Sequence, residues 1–297
     1  MPDIGNGQPV IFGEVLFDIF PDGSRVLGGA PFNVAWHLQA FGCDPLFVSR
    51  IGEDALGEQV SAAMRQWGMQ ITGLQVDPVH PTGEVRVSIE NGEPAYDIVA
   101  NQAYDYINSA DLPAIESVSL SYHGTLALRN HQSASALDAL LQSGHAPVFL
   151  DINLRPPWWN REAAKRLLER ATWLKLNEHE LAELLESDID VKAGAAALIE
   201  QYGLSLLIVT RGKQGASMYS DSGKILNVAP EGVSKVVDTV GAGDAFTSVC
   251  LLGLMQAWDM QKILQRAQQF ASAVVGVRGA TIVDRGFYEP FISEWQK

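Results

Sequence analysis

The run Val-Asp-Thr-Val-Gly-Ala-Gly-Asp-Ala-Phe at 237–246 sets three small residues, Gly241, Ala242 and Gly243, directly before a carboxylate, Asp244. Apolar residues then recur at Phe246, Val249, Leu251 and Leu252, a spacing that predicts a helix beginning here. A helix N-terminus offers unpaired backbone N–H groups and the positive end of its dipole, so an anion can bind there. Glycines let a ligand reach those amides without a side chain in the way. Asp244 then has two readings. It caps the helix, the commonest work of Asp at such a place, or it is a carboxylate stationed beside an anion site. Asp238 and Thr239 just upstream make the cluster rarer than a lone Gly-Asp.

Other polar residues sit where strands and helices should end. Asp18 closes the first apolar run and can accept from two hydroxyl groups. Gly28 and Gly29 permit close approach, and Asn33 can both donate and accept. Asn177 and Glu180 have the spacing of a reciprocal helix cap. Arg155, in Asp-Ile-Asn-Leu-Arg, would by itself be a surface ion-pair residue, and His123 ends a strand. Thr210, Arg211, Gly212 and Gly215 form a glycine-bounded loop after a strand. It is not a Walker loop, because Leu207 stands where the first Gly belongs and Gln214 follows Lys213. The Gly-x-Gly-x-x-Gly dinucleotide fingerprint fails at Phe246.

The elements that must hold these residues alternate between strand and helix. Strands are expected over 9–20, 45–52, 119–124, 146–153, 171–177 and 204–212, and helices over 30–42, 55–68, 131–144, 178–187, 242–257 and 260–276. That order predicts an α/β fold with a mainly parallel central sheet and helices on both faces. One segment departs from it. Residues 82–98 alternate polar and apolar around Asn91-Gly92, a hairpin signal, and Pro21-Asp-Gly-Ser24 makes a similar turn. These excursions predict a small second sheet from about 16–27 and 82–100, a lid on one domain spanning 1–297.

The bulk composition narrows the partners. Against 35 acidic residues stand 21 basic ones, a net charge of −14, with no basic run, so nucleic acid is not expected. No apolar stretch approaches the roughly 18 residues of a membrane span, and the N-terminus lacks a secretory pattern. Cys43 and Cys250, far apart, read as core residues of a reduced, cytoplasmic protein.

Taken together, the motifs resemble those of the ribokinase/PfkB carbohydrate kinases, fructokinase-like members above all. Val-Asp-Thr-Val-Gly-Ala-Gly-Asp resembles the C-terminal signature of that family and Gly28–Gly42 its N-terminal one. Lys-Leu-Asn-Glu-His-Glu carries the Asn-x-x-Glu motif, and Thr-Arg-Gly-Lys-Gln-Gly the nucleotide loop. The resemblance runs in family order from about Val10 to Gly279. It implies a ribokinase-like fold and transfer of the γ-phosphoryl of ATP to a primary hydroxyl of a small free sugar, most plainly fructose to fructose 6-phosphate. A 2-keto-3-deoxygluconate kinase and a non-catalytic sugar sensor are the alternatives. The resemblance implies Asp244 as base and the amides of Gly241, Ala242 and Gly243 as anion hole, with Arg155 beside the phosphoryl group. Asp18, Gly28, Gly29, Asn33, Tyr96 and Gln102 would meet the sugar. Asn177, Thr210, Arg211, Gly212, Gly215 and Ser272 would meet ATP. Glu180 and Asn177 would organise Mg2+ through water, Asp238 with 277–280 would hold a monovalent cation such as K+, and lid strands would pair two copies into a homodimer.

Overall fold

The apolar run 9–20 is not one strand. It breaks at Gly13, whose φ of 151° suits glycine and whose missing side chain makes room for the Pro31 ring. The chain thereby leaves one sheet and enters another within three residues. The structure, a computed structural model, describes residues 4–90, 93–142, 146–186, 190–230 and 236–296.

Its first half comprises β1 (Gln8–Phe12), β2 (Leu16–Ile19), β3 (Arg25–Gly28), α1 (Ala30–Ala40), β4 (Leu46–Gly52), α2 (Ala55–Trp67), β5 (Leu74–Asp77), β6 (Gly83–Glu90), β7 (Glu93–Ile98), β8 (Val118–His123) and α3 (His131–Gln142). There follow β9 (Val148–Asp151), α4 (Arg161–Leu168), β10 (Trp173–Asn177), α5 (Glu178–Leu185), α6 (Val191–Tyr202), β11 (Leu206–Thr210), β12 (Ala216–Ser220) and β13 (Ile225–Val228). The chain closes with α7 (Ala242–Met255), α8 (Met260–Val274) and α9 (Glu289–Trp295).

The larger sheet runs β13-β12-β11-β10-β9-β8-β1-β4-β5, and the smaller β3-β2-β6-β7. From β5 to β11 every pairing in the larger sheet is parallel, and only β12 and β13 add antiparallel. The α/β expectation with a separate small sheet is therefore met. Its turn at Asn91-Gly92 lies outside the described residues, although β6 and β7 pair across it.

Parallel strands in one sheet bring their C-terminal ends to one edge, where ligands of open α/β sheets bind. Here that edge carries the ends of β1, β8, β9, β10 and β11. α7 is buried along residues Ala245 to Leu254, which are mostly apolar. It packs against α1 and α8. α1 is fixed in turn by Trp36, whose ring stacks on Trp67 at 4.6 Å and whose Nε1 donates to the Ile282 carbonyl at 2.9 Å. Asn33 lies less than one turn away from that anchor. The small sheet is tied to the body by Leu16, Val85, Tyr104 and Leu126. Beside them Arg129 pairs with Asp105 at 2.7 Å and donates to the Val99 carbonyl just past β7.

Candidate active site

At the mouth of α7 the N-cap is Gly241, with φ 78° and ψ −5°, and a Cβ there would collide with Ala280. Having no side chain, Gly241 cannot close the helix start. The amides of Ala242, Gly243 and Asp244 have no i−4 acceptor in the helix, and that of Ala242 reaches the Thr239 carbonyl only at 3.4 Å. Asp244 is half-buried, and its Oδ2 accepts from Asn33 Nδ2 at 2.7 Å, a contact 211 residues apart in sequence. Burial pushes its carboxyl up to about 6 from the ordinary 3.8. The Asn33 hydrogen bond and the charges of Lys175 and Arg155 pull against that rise, and Asp151 adds to it.

Two charged groups here were not singled out by sequence reasoning. Lys175, in β10, is 8% exposed and pairs with Asp151 Oδ2 at 2.7 Å. Thr247 Oγ1, one turn into α7, lies 3.0 Å from the same oxygen. The sequence signal was a lysine inside an otherwise apolar strand, which has to find a partner if the strand is buried. Glu14, in the link between β1 and β2, is 3% exposed, and its Oε2 has no hydrogen-bond partner among the described residues. Burial raises it to about 7, opposed by its own and the Ala127 backbone amides and by Arg155, and assisted by Asp244. Gly29 is glycine because of this link: its φ is 111°, and a Cβ would stand 2.7 Å from the Glu14 carbonyl.

The small sheet faces the site with one side. Register places Asp18, Gly28, Val85, Tyr96 and Ile98 on a common face, while Arg86 and Asp97 lie opposite one another on the other. Asp18 is raised to about 6, by burial first and by the nearby charge of Asp238 second. Tyr96 is 54% exposed. Gln102 does something other than line this face. It is the N-cap of a short 3-10 turn, in a reciprocal box with Asp105, and its Nε2 donates to the Ala100 carbonyl. Asp105, which would have added negative charge, is neutralised by Arg129.

At the far side of the edge, Asn177 and Glu180 close the start of α5. Asn177 Oδ1 accepts from the amides of His179 and Glu180, and Glu180 Oε2 accepts from the Asn177 amide at 2.8 Å. Glu180 Oε1 accepts from the Leu154 amide at 2.9 Å. Arg155 is exposed and, among the described residues, forms no ion pair. Thr210 ends β11, and Gly212 (φ 50°) and Gly215 (φ 86°) turn the chain into β12. Arg211 donates to Ser217 Oγ at 2.7 Å. Ser272, on α8, is bonded by Gln268 at 3.1 Å, and Asp238 accepts from the Val240 and Gly279 amides. The buried His123 is bonded to the neighbouring Gly124 carbonyl.

The pattern of the pfkB family carbohydrate kinases matches residues 16–285 of this chain. The protein belongs to that family. The fructokinase of Klebsiella pneumoniae is 32% identical over 264 residues, 84% of this chain and 85% of its own. The fructokinase of Vibrio cholerae O395, solved with fructose, ADP and calcium ion bound, superposes with a TM-score of 0.82 at 25% identity, over 95% of this chain and 98% of that one. Aminoimidazole riboside kinase from Salmonella enterica, solved with its riboside and an ATP analog, has the same fold at 24% identity, TM-score 0.81, over 96% and 99%. The protein is an ATP-dependent carbohydrate kinase, similar to fructokinases. Its fold leaves the choice of sugar to the side chains.

For a pfkB kinase, the expected residues gather in two groups. Asp244, Gly241, Ala242, Gly243 and Asn33 meet at one point, with Arg155 close enough to act on the charge of Asp244. Thr210, Gly212, Gly215, Asn177 and Glu180 line the ends of β10 and β11. Among the described residues no three His, Cys, Asp or Glu side chains cluster as metal ligands, and no helix is long and apolar enough to cross a membrane.

Proposed function

We propose that this kinase transfers the γ-phosphoryl group of ATP to the O6 hydroxyl of fructose, with Asp244 as base. The observation that carries the assignment is the Asp244 carboxylate, held by Asn33 beside the uncapped amides of α7. With its carboxyl near 6, Asp244 is ionised at neutral pH and still basic enough to take a proton. As the sugar oxygen forms its bond to γ-phosphorus, the hydroxyl proton passes to Asp244 Oδ and the bond to the bridging oxygen breaks, releasing ADP. The amides of Gly241, Ala242 and Gly243 stabilise the charge on the transferred group, and Arg155 adds a cation.

Glu180 and Asn177 already bond backbone amides, so they do not make an all-protein metal cage. Their remaining lone pairs fit a hydrated Mg2+ that ATP phosphates carry, held through water. Bound there, the ion would neutralise phosphate charge. Thr210, Arg211, Gly212, Gly215 and Ser272 complete the nucleotide side. Asp238 would offer its carboxylate, with the 277–280 backbone, to a monovalent cation. The chain works as one cytoplasmic kinase domain whose small sheet is the lid, and whose lid edge pairs with a second copy.

Fructose is favoured over a sugar acid by the charge on the inner lid face. Asp18 lies there beside Tyr96 and Ile98, and Arg86 points to the other face, where it cannot neutralise a substrate carboxylate. An acid bound against Asp18 would lose hydration without gaining a partner. Sugar hydroxyls would find partners in Asp18 and Asn33, whereas both ends of the Gln102 amide are engaged by the Asp105 amide and the Ala100 carbonyl. A coupled ADP-release assay tests this. We expect kcat/KM for fructose to exceed that for 2-keto-3-deoxygluconate by at least ~10-fold. Equal or better use of the acid would overturn the fructose assignment.

A further inference from the structure

Beneath the mouth of α7 lies a buried ion pair, Lys175 with Asp151. Lys175 Nζ is 2.7 Å from Asp151 Oδ2, and both residues are buried. A Cβ built on Gly243 would stand 3.6 Å from Lys175 Nζ, so the ammonium rests one contact layer under the amide turn. Thr247 Oγ1 lies between the two structures, 3.0 Å from Asp151 Oδ2 and 2.9 Å from the Gly243 carbonyl. Strand, pair and helix start are thus joined in one hydrogen-bonded unit.

We propose that the Lys175–Asp151 pair serves phosphoryl transfer: Lys175 keeps positive charge under the Gly241–Gly243 turn, and Asp151, bonded also by Thr247 of α7, holds the ammonium there. Lys175 is a positioning residue, acting on the anion site through the turn above it. The inference rests on the assignment of that turn and Asp244 to the reaction.

The Asp151 carboxylate, 2.7 Å from Nζ, holds Lys175 as an ammonium directly under the turn that would receive the phosphoryl group. Stability alone does not explain such a pair, since apolar residues of similar volume commonly serve a core as well. A fixed charge that needs no reorganisation at the moment of reaction is instead what electrostatic catalysis requires.

The experiment measures steady-state kinetics and thermal unfolding of the full chain, with ATP and the sugar that the unmodified enzyme uses best. The variants are Lys175→Gln, Lys175→Arg and the double variant Lys175→Met with Asp151→Leu. Lys175→Met alone would leave Asp151 buried and unpaired, whereas the double variant removes both charges and should unfold near the parent temperature. We expect its kcat to stay at least ~30-fold below the parent, somewhat less than removing a direct donor costs, with both KM values within about threefold. Lys175→Gln keeps a hydrogen bond to Asp151 without the charge, and should be at least ~5-fold slower than Lys175→Arg, which keeps the charge. A stable double variant with kcat within about threefold of the parent would make the pair purely structural and overturn the proposal. Should the double variant fail to fold, equal rates for Lys175→Gln and Lys175→Arg would overturn it as well. Asp244→Asn, run in parallel, separates the two levels: a fast Asp244→Asn defeats the base assignment whatever the Lys175 variants do.

Discussion

Two carboxylates occupy the first turns of two helices at the same sheet edge, and they are used in opposite ways. Glu180 bonds the Asn177 amide while Asn177 bonds its amide in return, so both side chains close α5. Asp244 stands at the equivalent place in α7, where Gly241 leaves the end open, and its carboxylate accepts from Asn33 on another helix. The difference teaches what a sequence motif hides. An acid in a first turn is a cap when its partner is local, and becomes available for chemistry when its partner comes from elsewhere and the local amides remain free. Burial raises both carboxyls and Lys175 opposes the rise at both, but Glu180 is otherwise restrained by two backbone amides and Asp244 by the Asn33 side-chain amide and Arg155.

The sharpest way to break this contrast is to neutralise Asp244. Asp244→Asn should lower kcat by at least ~100-fold, the scale of a lost general base, with little change in ATP or sugar affinity. Rates from the ADP-release assay decide it, and a variant keeping more than half of its turnover would return Asp244 to a structural role. Removing the distant partner should have a smaller effect. Asn33→Leu should lower kcat/KM by roughly 10-fold, because the carboxylate loses its alignment. The acidic limb of the pH profile should also move upward, since the lost hydrogen bond held the Asp244 carboxyl down. An unmoved limb would mean that Asn33 does not hold the carboxylate in solution.

Glu180→Gln should be the mildest. It should raise the magnesium needed for half-maximal rate with little effect on sugar KM, and cost about 1 kcal/mol of stability through the weakened cap. An unchanged magnesium titration together with the stability loss would leave Glu180 as a cap alone.

Much of this arrangement was legible in the sequence because local periodicity carries it. The strands at β4, β8, β9, β10 and β11 and the helices α1, α2, α3, α5, α7 and α8 lie close to where apolar spacing placed them. The first run is not legible as two strands, because its apolar residues continue across Gly13 while the backbone changes sheets there. α4 carries little apolar signal because its eight residues are mostly charged or small, and β12 and β13 are short strands of five and four residues with little period. Within the site, the glycines and Asp244 announce themselves by type and spacing. Lys175 does not, since its partner Asp151 is 24 residues away and Thr247 lies 96 residues beyond that. Glu14 reads as one acid in an apolar stretch until the fold closes over it. The reciprocal bond of Asn177 and Glu180 was legible because all its atoms are local.

The central claim is that the ionised Asp244 carboxylate takes the proton from the sugar. The most direct test is the pH dependence of kcat/KM for the unmodified enzyme beside Asp244→Asn. A base must be deprotonated, so the unmodified rate should hold steady above about pH 6 and fall roughly tenfold per unit below it. Lys175, Asp151, Arg155 and Glu14 also act on this carboxyl, and Glu14 itself sits near 7, so the variant is needed to assign the limb. The account predicts that Asp244→Asn is slow and has lost the limb near pH 6. A variant that keeps both its rate and the same acidic limb would contradict it.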